Sequence, residues 1–190
     1  VIRRSAETWS AATGLEFVII TSDVENVSRS GPAGDGINLI TTASTDANAR
    51  VFANGSGDAP ATTRLFYGRQ GYISEADIVL NPAQHFSDDG TFGTFDLESI
   101  ITHEIGHLLG LEHSPIAGSV MFSQHAKNGL YAGSMSWGRS LFPPDIAAVR
   151  ATYGSPDPDR AFCYRIEGSL PAIGAKRNAT VWVEDERTGM

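Results

Sequence analysis

The twelve residues His103–Ser114, HEIGHLLGLEHS, place three imidazoles and two carboxylates in a stretch whose apolar residues read as the buried end of a helix. On a helix, His103 and His107 lie about one turn apart and project from the same face, so two ring nitrogens can reach one ion. Glu104 is next to the first of them but rotated around the helix, where it can approach a water held on the ion without binding the ion itself. Gly110 adopts positive φ without strain, which lets the chain leave the helix and turn His113 under the same ion. Three neutral imidazoles leave a fourth coordination position open, the pattern of catalytic rather than closed structural zinc. The spacing H-E-x-x-H-x-x-G-x-x-H fixes five positions for one geometric purpose. One catalytic zinc on His103, His107 and His113, with Glu104 as general base, is therefore expected.

These groups need elements to hold them. Asp96 is a suitable N-cap with Glu98 in the first turn, and Leu97, Ile100, Ile101, Ile105, Leu108 and Leu109 trace the buried face of the helix that carries the first two histidines. The opening segment VIRRSAETWSAATG repeats apolar residues at helical spacing and stops at Gly14. LEFVII, GINLITTAS, TTRLFYG and ISEADIVL read as about four strands, with the Asn-, Gly-, Ser- and Asp-rich text from Thr45 to Ala61 as a long surface loop. Another long loop runs from Ser114 to Phe142, followed by a short helix in PPDIAAVRATYG with proline at its start. After a linker around SPDPDR, AFCYRIEGSL and ATVWVEDE suggest two further strands, an annex on the main domain or the opening of a separate β-module. The expected division is a main domain carrying the zinc site over residues 1–156 and a linker with C-terminal strands over 157–190.

Composition narrows the function classes. Fourteen basic against twenty-two acidic residues give a formal charge of -8, which disfavours nucleic acid and anionic membrane surfaces as partners. No apolar run approaches the roughly 20 residues of a membrane-spanning helix, so membrane insertion is not expected. The lone Cys163 allows no intrachain disulfide and reads as a packed or partly exposed thiol. The chain opens at Val1 without an initiator methionine, as a processed form or an excerpt would.

HEIGHLLGLEHS resembles the long zinc motif of the metzincin endopeptidases, and most closely that of the matrixins, the matrix-metalloproteinase type, which carry serine directly after the third histidine as Ser114 does here. The resemblance extends to SVMF, where Met121 stands at the place of the Met-turn, and to the EADIVLN strand and the DIAAVRATYG helix. It implies an α+β zincin-like fold: a twisted, mostly parallel sheet with an active-site helix, above a smaller lower subdomain. It also implies a secreted, monomeric zinc endopeptidase acting on extended polypeptide or protein substrates, laid along an edge strand near Thr62 to Gly68. A preference for a medium or large apolar side chain would then be set by the pocket walled by Ser119 to Phe142. There are departures from the family pattern. Only His85 precedes His103, so the second, structural zinc of many animal matrixins is not expected. Ser123 stands where the family commonly has proline, and His125 reads as a surface or subsite residue rather than a ligand. Calcium is an additional candidate ion, with Asp35, Asp46, Asp58, Asp88 and Asp89 offering oxygen ligands in loops.

Overall fold

The computed structural model describes residues 1–29, 34–53, 57–130 and 138–156, together with the backbone of 162–164 and 178–181. The chain forms two compact units, one of Val1–Leu15 with Ala83–Ala161 and one of Glu16–Pro82 with Phe162–Met190.

The first unit is built on three helices. Helix α1 (Ile2–Thr13) buries Ile2, Ala6, Trp9 and Ala12 on one face and stops at Gly14, whose φ of 78° is left-handed, as its sequence implies. Helix α3 (Leu97–Leu108) starts where the Asp96 carboxylate accepts the Ser99 N–H, and it is buried almost all round. Trp9 is fully buried and donates its indole N–H to the Thr102 carbonyl at 2.9 Å, which fixes α1 against the middle of α3. Ion pairs hold the start of α3: Arg4 meets Glu98 at 2.6 Å, while Arg139 chelates Asp96 and donates to the Asp88 carbonyl. Helix α4 (Pro143–Tyr153) has proline at its first two positions and ends at Gly154. Its Arg150 donates to the Ala12 carbonyl at the end of α1, and the Tyr153 hydroxyl to the Leu109 carbonyl at the end of α3. Two very short strands, β6 (Phe86–Ser87) and β7 (Phe95–Asp96), pair in parallel just before α3.

The second unit is a sheet with a small helical insert. LEFVII breaks at Val18 into β1 (Leu15–Phe17) and β2 (Ile19–Ser22); β3 (Asn38–Thr41), β4 (Ala61–Tyr67), β5 (Ile73–Leu80), β8 (Phe162–Tyr164) and β9 (Asn178–Val181) follow. Five of these strands form one sheet in the order β2-β9-β3-β5-β4, and β1 pairs with β8. Strands β2, β3 and β5 point the same way and β9 and β4 the other, so most strands are parallel in direction, although β3–β5 is the one parallel ladder between neighbours. Strand β3 is buried at every position and β5 from Glu75 onward, which explains why neither shows a clean apolar–polar alternation. Val27, Leu39, Phe52 and Val79 form the packed cluster of this unit.

The expected loop from Thr45 to Ala61 is partly helical. Thr45 caps α2 (Asp46–Ala49) by accepting the Asn48 N–H, and a 3-10 turn over Arg50–Phe52 continues it. The fully buried Asn48 accounts for the difference: its amide donates to the Glu25 and Ala43 carbonyls and accepts from the Val27 N–H, tertiary bonds that composition does not reveal. From Ser114 to Phe142 the described residues form no helix or named strand, and residues 131–137 of that loop lie outside the described set.

Candidate metal centre

Helix α3 ends in the geometry its glycine foreshadows. Gly110 has φ of +85°, its N–H bonds the His107 carbonyl at 2.8 Å, and the Leu111 N–H reaches back to the Gly106 carbonyl at 3.0 Å. This paired closure satisfies the last carbonyls of the helix and reverses the chain toward His113. The Ser114 N–H then bonds the Met121 carbonyl at 2.8 Å, tying the segment after the third histidine to the turn that carries the methionine.

The three histidines meet. His107 Nε2 lies 3.1 Å from His103 Nε2 and 3.2 Å from His113 Nε2. Each of the first two rings also has a backbone carbonyl 2.7 Å from Nδ1, that of Val120 for His103 and that of Leu111 for His107. A carbonyl can only accept, so both rings carry their proton on Nδ1 and turn an Nε2 lone pair inward. Lone pairs facing one another at this distance repel unless a cation lies between them. Zinc bonded to nitrogen at about 2.0–2.1 Å in a tetrahedron sets its ligands roughly 3.3 Å apart, so the donor set fits such an ion. Among the described residues, these three histidines are the one group of His, Cys, Asp or Glu whose ligand atoms converge in this way.

Burial keeps the first two rings neutral. His103 is 2% exposed, and burial, followed by the neighbouring His125, lowers its pKa to about 3. Burial also lowers that of His107. Neutral imidazole is the form that binds metal, so desolvation here prepares ligands rather than charges. Glu104, beside His103 on α3, is buried at 4% exposure.

The floor is set by close packing. A Cβ on Gly106 would lie 2.3 Å from Met121 Sδ and 2.9 Å from the Trp9 ring, so only glycine lets the methionine and the tryptophan approach the helix this closely. The turn bearing Met121 is clamped by Asp145 of α4, a residue with no role in the sequence reading. Its buried carboxylate accepts the Ser119 hydroxyl, the Val120 N–H at 2.9 Å and the Phe142 N–H at 2.8 Å. Because the Val120 carbonyl in turn orients His103, Asp145 acts on the first histidine through a single residue, Val120. Its only sequence signal is a position in the first turn of a proline-started helix.

His125 is not a surface residue. It is half-buried and sets its ring edge-on against His103, with centroids 4.4 Å apart, and burial lowers its pKa to about 4. It stands outside the converging trio, which leaves the subsite half of the sequence expectation. Ser123 is exposed beside it, and His85 is exposed before β6. The candidate oxygen ligands are not gathered into one group among the described residues: Asp35 and Asp89, for example, accept N–H groups two residues on in local turns.

The sequence profile of the Matrixin family matches residues 1–154. Among named proteins, the chain is 30% identical over 159 residues to a hatching enzyme of Paracentrotus lividus, covering 81% of this chain and 22% of that protein. It is 33% identical over 102 residues to matrix metalloproteinase-19 of Mus musculus, covering 51% and 18% of the two chains. Over 185 residues it is 32% identical to metalloendoproteinase 1-MMP of Arabidopsis thaliana, covering 95% and 43%. The chain thus spans less than half the length of each of these relatives.

Proposed function

The chain belongs to the matrixin family, and from that premise we propose that it is a zinc-dependent endopeptidase acting on extended polypeptide substrates. The observation that carries the reading is the convergence of three Nε2 atoms next to a buried glutamate on the helix that carries the first two histidines. In this proposal His103, His107 and His113 hold the ion. Zinc bound there supplies Lewis acidity, lowering the pKa of water and polarising the scissile carbonyl.

The chain's own residues do the rest. Glu104 takes a proton from the attacking water and delivers it to the leaving amine, so one carboxylate serves as base and then as acid. The Val120 and Leu111 carbonyls hold the His103 and His107 rings in the tautomer and orientation that keep Nε2 available. Met121 and Gly106 give the site a rigid apolar base, and His125 borders it as a subsite residue. A purely structural zinc site would have no use for a carboxylate in the position of Glu104, which argues against a non-catalytic zinc module.

The matched family segment ends at residue 154, which supports a peptidase domain over 1–156. Because β8 pairs with β1 and β9 with β2 and β3, residues 157–190 are proposed as a linker and strands annexed to that domain rather than a separate β-module. Secretion and a monomeric state complete the proposal and rest on the family alone; no helix among the described residues is long and apolar enough to cross a membrane.

The test is cleavage of a quenched-fluorescent peptide library by the zinc-loaded chain. Activity that chelator abolishes and zinc restores, and that Glu104→Ala loses while keeping its metal, is the expected result. A zinc-loaded wild type that cuts neither peptides nor unfolded proteins would refute the reading.

A further inference from the structure

The sheet unit holds a cavity of about 760 Å³ whose charge runs against that of the chain. Arg29, Arg50 and Arg64 line it, together with Val27, Val51 and Thr62, and none of its lining residues among the described ones is acidic. In a chain of fourteen basic and twenty-two acidic residues, three arginines on one cavity without a lining carboxylate is a concentrated positive field. Val27 belongs to the buried apolar cluster of this unit and Val51 packs against it, so one side of the cavity is continuous with the apolar core.

The three arginines are held differently. Arg64 on β4 donates Nη1 to the Ser28 carbonyl at 2.8 Å and sets its guanidinium 5.5 Å from the centre of the Phe66 ring, which fixes its side chain in place. Its opposite number in the ladder, Asp77, is 1% exposed and accepts the Ser28 and Leu39 N–H groups. Arg29 and Arg50 are exposed, and neither pairs with an acidic side chain among the described residues. Two exposed guanidinium forks thus share the cavity with a third that is pre-set. Guanidinium forks match carboxylates in a bidentate geometry.

We propose that this arginine-lined cavity is a binding site for a polypeptide segment that carries acidic side chains beside apolar ones, the carboxylates on Arg29, Arg50 and Arg64 and the apolar side chains against Val27 and Val51. The volume suits a few side chains rather than a whole folded partner. The apolar wall favours a peptide over a sulfated glycan, whose anionic groups would use the arginines and leave the partly exposed Val51 uncovered.

The probe is a fluorescein-labelled decapeptide of alternating Asp and Val, with its Asn–Val analogue and a heparin oligosaccharide as comparisons. Binding is read by anisotropy on zinc-loaded Glu104→Gln, so the probe is not cut and the result does not depend on the peptidase reading. The acidic peptide is expected to bind at least tenfold more tightly than its neutral analogue. Arg29→Ala with Arg50→Ala is expected to cost at least tenfold while the melting temperature stays unchanged. If the double variant folds poorly, Arg50→Gln alone should weaken binding at least threefold and Arg50→Lys less. Equal binding of the two peptides, or loss of none in the arginine variants, would overturn the proposal. Preferential capture of the heparin oligosaccharide by the same arginines would overturn it in favour of a glycan site.

Discussion

The molecule buries polar groups in two places and points their hydrogen bonds in opposite directions. At the end of α3, imidazoles donate to the backbone carbonyls of Val120 and Leu111 and turn their lone pairs toward one another. On β5, the carboxylates of Asp77 and Glu75 instead accept from backbone, Asp77 from Ser28 and Leu39 and Glu75 from Gly36, while Glu75 Oε1 has no donor among the described residues. The first arrangement consumes donors and leaves acceptors, which is what a cation needs. The second consumes acceptors to hold the chain at Ser28, Gly36 and Leu39, and so makes structure rather than chemistry. Burial alone therefore does not mark a functional site; the direction of the satisfied bonds does.

The largest expected effect lies where the two schemes meet in one residue. Asp145 is a backbone-accepting carboxylate like Asp77, yet it serves the metal centre through Val120. Asp145→Asn places an N–H₂ against a backbone N–H and should cost about 2–3 kcal/mol of stability, read by urea denaturation. Zinc affinity should fall roughly 10- to 100-fold, as for other residues that orient a ligand from behind. Loss of stability with unchanged zinc affinity would show that the clamp and the centre are independent.

A smaller effect is expected from packing without charge. Gly106→Ala puts a methyl group into the space of Met121 and Trp9 and should destabilise by about 1–3 kcal/mol. Here the centre is disturbed sterically, so calorimetry should show a lowered Tm while the zinc-loaded variant retains His103 as a ligand.

The smallest effect is a slope. Burial raises the Asp77 pKa from 3.8 to about 7, against the backbone bonds from Ser28 and Leu39, with Glu75 and Asp35 adding to the rise. The folded state therefore holds a proton that the unfolded state releases near pH 4. The contribution of this group is fully present below that pH and is lost as pH rises through about 7. Thermal melts from pH 5 to pH 8 should show a falling Tm in wild type and a flatter one in Asp77→Asn. An unchanged slope would mean that Asp77 is not the group responsible.

The metal centre was legible because its information is local. Three histidines, a glutamate and a glycine within eleven residues specify one helix turn and its exit, and Gly110, His103 and His107 sit as that spacing requires. The three helices of the unit that carries it were legible for the same reason, with caps and periodicity written into Asp96, Gly14 and Gly154. What escaped depends on distant partners. Asp145 gains its meaning from a turn 25 residues away in sequence, and Asn48 makes a loop-like composition helical through bonds to Glu25 and Val27. Glu75 and Asp77 alternate along β5 as solvent-facing residues would, and only the returning chain that covers them reveals that they are buried.

Zinc titration by calorimetry of wild type, Glu104→Ala and His107→Ala, with metal content determined after dialysis, tests the central claim most directly. One zinc per chain in wild type and Glu104→Ala, and none retained by His107→Ala, is the expected result, because the His107 Nε2 lies 3.1 and 3.2 Å from the other two ligand atoms. A His107→Ala chain that folds and still retains one zinc would place the ion elsewhere and contradict the account.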